Sequence, residues 1–239
     1  MESYEYRETG NNNHLIDKED GLLPGFALGL GANCNQWEFA VRGVQQRARL
    51  EYDGQTNTGR KFLSRTLESI GDLSAQVERR FLVSDTNSVG VYGGVGYWQW
   101  RRNIASGGNV SGLDEKYRWR YYYLGSNVAL IEQKPHQLRL DIRWLRLTQA
   151  KLSVDFLGVF DKPEDLMLDV RNGWRVALPW QYMFNPENSI RLEPYAQGWR
   201  IPRSEAKFLS RNGVIAGNFF EPASQTRAYG IKATWSHWF

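Results

Sequence analysis

Between Gln137 and Trp144 the chain reads QLRLDIRW, with Leu138, Leu140, Ile142 and Trp144 on one face and Arg139, Asp141 and Arg143 on the other. A period of two belongs to an extended strand, whose successive side chains point to opposite faces. The same alternation runs through GWRVALPWQYMF, where Trp174, Val176, Leu178, Trp180, Tyr182 and Phe184 oppose Arg175, Ala177 and Gln181. In SIRLEPY it sets Ile190, Leu192 and Pro194 against Arg191, Glu193 and Tyr195. Nothing reads as a long amphipathic helix, and no run approaches the roughly 18 apolar residues of a membrane helix. The chain is therefore expected to be all-β. Alternation leaves two solutions: apolar faces turned into a soluble core, or turned out to lipid with the charged faces lining a lumen. A mean hydropathy of −0.56 does not choose between them, because barrel strands spend half their residues on a polar interior.

Strand-like runs are expected at about 2–9, 24–33, 37–51, 65–81, 88–104, 117–132, 137–154, 173–184, 190–203 and 225–239, an even number in a single domain spanning 1–239. The connections sort by length. NCNQ, LVSDTN, KPH and NPENS are tight, whereas NNNHLIDKEDGLLP, YDGQTNTGRKFLSR, SGGNVSGLDEK and FLGVFDKPEDLMLDVRN are long and polar. Short turns at one end and long loops at the other describe a closed, antiparallel, up-and-down transmembrane barrel. Bulges or kinks are expected in GGVGYWQWRR and YRWRYYYLGSNVAL, whose register is ambiguous.

Aromatic residues make up 14% of the chain, 10 of them Trp. Trp98, Trp100, Tyr117, Trp119 and Tyr121 lie towards the long-loop ends, and Trp37, Phe39, Phe184, Trp235 and Phe239 towards the short turns. Two such groups are expected to form the aromatic girdles of the two membrane interfaces. The last strand, RAYGIKATWSHWF, stops on Phe239 with Trp235 and Tyr229 in phase before it. This ending resembles the C-terminal signal of Gram-negative outer-membrane β-barrel proteins, with His237 in place of the usual penultimate aromatic of that phase. The resemblance implies an outer-membrane location, a leader removed before Met1, and contact with the barrel-assembly machinery through Phe239, Trp235 and Tyr229. It also implies outer-membrane lipid and lipopolysaccharide as partners and a monomeric state. ESYEYRET would close the ring, with Tyr4 and Tyr6 facing lipid and Glu5 and Arg7 facing the lumen.

On that register the lumen gathers Arg7, Arg42, Arg118, Arg120, Arg139, Arg143, Arg175, Arg191 and Lys232, against Glu5, Glu38, Asp72, Glu78, Asp141 and Glu193. About ten strands stand near the closed end of the size range, since about eight enclose a space just filled by side chains. Interlocked charges should plug the lumen, leaving at most a narrow path that prefers anions.

Ten strands also match the omptin proteases, whose mechanism needs acid pairs and an Asp-x-His on the outer rim. The three histidines here, His14, His136 and His237, lack an Asp two positions before them. Lipid A deacylases pair His-x-Ser, and no histidine here meets that spacing either. The catalytic residues of those families are not carried over, and an enzymatic role is not expected. His14 stands near Asp17, Glu19 and Asp20, and Asp161, Glu164, Asp165 and Asp169 form an acidic run. Solvated loops collect such groups without purpose, and the acidic run lacks the ordered ligand spacing of a calcium loop. No metal or cofactor is expected. The lone Cys34 excludes an intrachain disulfide. A net charge of +4, spread along strands, gives no reason to expect nucleic acid. An enzyme with a site on the extracellular rim and a soluble barrel around an apolar ligand are the alternatives.

Overall fold

The computed structural model describes residues 1–10, 14–56, 59–84, 87–169 and 172–239. It is all-β and antiparallel. The strands are β1 (Glu2–Thr9), β2 (Leu15–Leu23), β3 (Gly25–Cys34), β4 (Trp37–Gln55), β5 (Lys61–Ser84), β6 (Asn87–Ile104), β7 (Leu113–Gln133) and β8 (His136–Asp155). They continue as β9 (Glu164–Leu168), β10 (Asn172–Ala177), β11 (Trp180–Met183), β12 (Asn188–Ile201), β13 (Lys207–Arg211), β14 (Val214–Phe219) and β15 (Ala223–His237).

Several of these are pieces of one ladder. β2 and β3 succeed one another beside β4, and β9, β10 and β11 beside β8. Prolines mark two of the breaks, since proline brings no N–H to a ladder. There the carbonyls still bond: Arg47 donates to the Pro24 oxygen and Arg139 to that of Pro179. With the pieces joined, ten strands form an up-and-down ring that returns through β12, β15 and β1. β1 joins it only over the long-loop half, where Glu2 lies level with Leu23 and Gly230. Among the described residues, β3 pairs only with β4, and Lys232–His237 of β15 only with β12.

The strands run further at the long-loop end than the sequence suggested. The segment read as the first loop contains β2, the run after β8 contains β9, and β13–β14 form a hairpin in the last long connection. Asp161 ties that hairpin down by accepting the backbone N–H groups of Asn212 and Gly213 at 2.7 and 3.0 Å. GGVGYWQWRR holds an unbroken register with β7, so the kink expected there is absent. Shifts do occur along β7 against β8, between Arg118 and Arg120 and between Ala129 and Ile131. Beside the first of these stands Gln149, with φ 51°. A bulge of this kind adds one residue and restores the inward phase of Ala150, Leu152 and Val154.

An apolar band circles the outside, through Phe26, Leu28, Val41, Leu73, Val95, Leu124, Ile142 and Ile231, all exposed. Trp37, Phe39, Phe184, Trp235 and Phe239 project outward at its short-turn edge. At the other edge the exposed rings are Tyr97, Tyr122, Trp144, Trp174 and Tyr229. The second girdle expected from the sequence needs correction here. Trp100, Tyr117, Trp119 and Tyr121 are buried inside the ring, and Trp98 packs against them. Above the outer aromatic edge the exterior turns charged, so apolar residues there reverse their phase and fill the interior.

Candidate functional site

The interior divides into two chemically different halves. In the long-loop half, beyond the apolar band, rings and charges leave little room. Trp100 and Tyr117 stack with centroids 4.5 Å apart, and Tyr6 meets Trp100 edge-on at 5.1 Å. Glycines on β6 make this fit possible. A Cβ on Gly94 or Gly96 would overlap the ring of Tyr123 or Tyr121 on β7. The inward positions of β6 thus carry no side chain at Gly94 and Gly96 and large ones at Trp98, Trp100 and Arg102.

Arg102 is the centre of this half and is fully buried. Its guanidinium meets Glu115 at 2.7 Å, Glu8 and Glu19 each at 3.0 Å, Asp17 at 3.4 Å and Glu68 at 3.9 Å. It also lies 4.3 Å over the face of Tyr6. Glu221 stands beside it, accepting the hydroxyls of Tyr117 at 2.6 Å and Tyr6 at 3.1 Å. Glu68 also accepts the indole N–H of Trp100, and Glu19 the hydroxyl of Thr66 at 2.6 Å. One cation on β6 thus serves a cluster of carboxylates on β1, β2, β5 and β7. The position a metal would take among these acids is filled by the guanidinium. Among the described residues, no group of His, Cys, Asp and Glu is arranged to hold a metal ion.

These acids lie outside the membrane-spanning segments, and burial raises most of their proton affinities. Burial pushes Glu115 up to about 7, against the attraction of Arg102. Burial and neighbouring carboxylates raise Asp17, Glu68 and Glu221 as well. Glu19 is buried too, yet Arg102 and its hydrogen bonds hold it below its ordinary value. A raised folded-state value means that stability is present while the folded form keeps its proton and is lost as pH rises through that value. The ring should therefore gain resistance to denaturant as pH falls from 8 towards 5. Denaturation midpoints followed by tryptophan fluorescence check this, and a midpoint falling over that interval would contradict it.

The short-turn half is polar and holds a cavity. Arg175 donates to Glu193 at 2.7 Å, and Lys232 pairs with the same carboxylate at 3.0 Å. Arg139 reaches Glu132 at 3.3 Å, and Arg80 lies 3.5 and 3.7 Å from Glu38 and Glu78. Tyrosines cap the acids that remain: Tyr92 donates to Asp141 at 2.7 Å, Tyr121 to Asp72 at 2.6 Å, and Tyr195 to Glu2 at 2.6 Å.

Of the lumenal residues expected from the sequence, Glu38, Arg42, Asp72, Glu78, Arg139, Asp141, Arg143, Arg175, Arg191, Glu193 and Lys232 occupy inward positions of their strands. Glu5, Arg7, Arg118 and Arg120 face outward instead. Arg7 and Lys18 pair with Glu5 on the outside of the ring, at 2.9 and 3.7 Å. Arg118 donates to Ser153 at 3.1 Å. The phase reverses because these four lie above the apolar band, where water bathes the exterior and Tyr4, Tyr6, Tyr117 and Trp119 fill the interior. Phe239, Trp235 and Tyr229 all project outward.

His14 is exposed, and its neighbours separate. Asp17 and Glu19 turn into the ring, while Asp20 pairs with Lys18 at 2.9 Å on the outside. The later acidic run disperses as well: Asp161 holds the hairpin, Asp165 pairs with Lys151 at 2.7 Å and Glu164 with Lys162 at 3.3 Å. His136 stacks near Trp180 with centroids 5.9 Å apart, and His237 contacts Asn188 at 3.0 Å. The cluster around Arg102 was not anticipated. Its signal lay in the phase of YGGVGYWQWRR, which puts Tyr92, Trp98, Trp100 and Arg102 on one face.

The strand count, the outward apolar band and the filled interior define a ten-stranded antiparallel β-barrel, the fold that outer-membrane proteins adopt. No protein-family model matches the chain, and no curated protein matches it in sequence. Among solved structures it is similar to the outer membrane protease OmpT from Escherichia coli. The two share 11% identity, with a TM-score of 0.60, over 100% of this chain and 93% of that one. At that identity the likeness is one of fold. The β domain of the Bordetella autotransporter BrkA matches 100% of this chain and 97% of its own at 10% identity, with a TM-score of 0.37.

Proposed function

We propose that the chain serves as a surface barrel of the outer membrane whose lumen is closed by its own side chains, rather than as a pore or a protease. The observation that carries this reading is the fully buried Trp100–Tyr117–Arg102 layer. It lies between the long-loop mouth and the cavity below. A ring near ten strands has little interior to spare, and here the space is taken by large aromatics. Against a protease of the OmpT kind, the carboxylates around Arg102 have no histidine among them, and all are buried. Against a soluble barrel holding an apolar ligand, the continuous apolar band lies on the outside.

Planar-bilayer recording tests the reading. The refolded protein should give no stable single-channel steps in molar potassium chloride. Steps with a defined open state would overturn it, and anion preference in them would restore a narrow lumenal path.

Two partners accompany the reading. Outward basic residues directly above the aromatic edge, including Arg118, Arg120 and Arg146, suit the phosphates of lipopolysaccharide. Arg118→Gln with Arg120→Gln should reduce any gain in heat resistance that lipopolysaccharide confers over phosphatidylcholine. An unchanged gain would remove this contact. The outward ring of Phe239 is the feature offered to the barrel-assembly machinery. Deleting it should lower outer-membrane levels in cells while leaving refolding in detergent intact, and normal cellular levels would dismiss the idea.

A further inference from the structure

The cavity in the short-turn half measures about 220 Å³. It is lined by more cationic than anionic side chains, and their pairing is incomplete. Arg175 and Lys232 share one carboxylate, Glu193, at 2.7 and 3.0 Å. Arg143 donates to neutral partners, the Tyr92 hydroxyl and the Gln76 carbonyl at 3.4 and 3.3 Å, and lies 4.3 Å over the Tyr123 ring. Among the described residues, Arg191 likewise donates only to the side-chain carbonyl of Gln181. Arg42 is half-buried on the same wall, and among the described residues it has no hydrogen bond or ion pair.

Cations held together in a partly desolvated space repel one another, and an opposite charge between them relieves that cost. The space is small for a drug-sized ligand, whose pockets run from about 300 Å³ upward. It is ample for a compact ion. Guanidinium groups present paired N–H donors whose geometry suits carboxylate and phosphate oxygens. The lining reaches Glu38, Arg80, Gln137 and Arg191 next to the short turns, the end that the resemblance to outer-membrane barrels places towards the periplasm.

We propose that this cavity binds a small oxyanion carrying two or more negative charges, of the phosphate or dicarboxylate class. Arg42, Arg143, Arg175 and Lys232 provide the charge. The proposal goes beyond the closed-lumen reading and does not require it, because one-sided binding needs no through path.

Isothermal titration of the detergent-refolded protein with inorganic phosphate at low ionic strength tests it, with succinate as the competing dicarboxylate. Saturable binding should weaken at least tenfold in Arg42→Gln and in Lys232→Gln, and should persist in Lys162→Gln, an exposed lysine of the long connection after β8. Displacement of phosphate by succinate would extend the site to dicarboxylates, and failure to displace would confine it to phosphate. The electrophoretic shift on boiling verifies that each variant is folded. If one lumenal variant does not fold, the other and the salt dependence of the unaltered protein carry the test. Absence of saturable heat in the unaltered protein would overturn the proposal. So would equal affinity in a folded Arg42→Gln or Lys232→Gln variant.

Discussion

Arg102→Met should cost the ring about 3–5 kcal/mol at neutral pH, the usual loss when one partner of a buried charge pair is removed. Methionine fills much of the same space, so the loss is chiefly electrostatic. Glu8, Asp17, Glu19, Glu68 and Glu115 would be left facing one another without their common cation. Protonation is their one escape, and the defect should therefore be much milder at pH 5 than at pH 8. Denaturant midpoints of both proteins at the two pH values measure it. A variant as stable as the parent at pH 8 would show that the cluster holds too few charges for Arg102 to matter. A second substitution separates charge from packing: Arg102→Lys keeps the charge but loses the fork, and should fall between the two.

Gly94→Ala should also be clearly destabilising, although it adds a single methyl group. The added Cβ would overlap the backbone oxygen of Ala75 on β5 and the ring of Tyr123 on β7 together. A side chain can rotate away, but a strand carbonyl within a ladder cannot move without breaking its neighbours. Overpacking of this sort costs typically 1–3 kcal/mol. The exterior supplies the control. Gly43 has open space where its Cβ would be, and Gly43→Ala should leave stability nearly unchanged. Equal midpoints for Gly94→Ala and the parent would mean that β5, β6 and β7 are less tightly seated than described.

These two positions also show what the sequence conveyed and what it withheld. In the membrane band, QLRLDIRW could be read directly, because lipid outside and polar groups inside give each residue type one place. Above the band that rule reverses: water lies outside and aromatic packing inside. YEYR and YRWRY alternate as cleanly as any membrane strand, yet Tyr4, Tyr6, Tyr117 and Trp119 are buried while Arg7 and Arg120 are exposed. Nothing within those segments marks the level at which the environment changes. β2 was hidden for a related reason. HLIDKEDG has the composition of a loop, and only the burial of Asp17 and Glu19 against Arg102 gives its acids a reason to lie in a strand. The carboxylate cluster joins residues as far apart as Glu8 and Glu221, which no local pattern could bring together.

The strands close a ring with an apolar exterior and a filled interior. Electrophoresis in SDS, with and without boiling, tests it most directly after refolding in detergent or lipid. Unheated protein should resist SDS and change mobility on boiling, because the ring unfolds only when its strands separate. A protein that stays monodisperse without detergent and migrates identically before and after boiling would contradict the account.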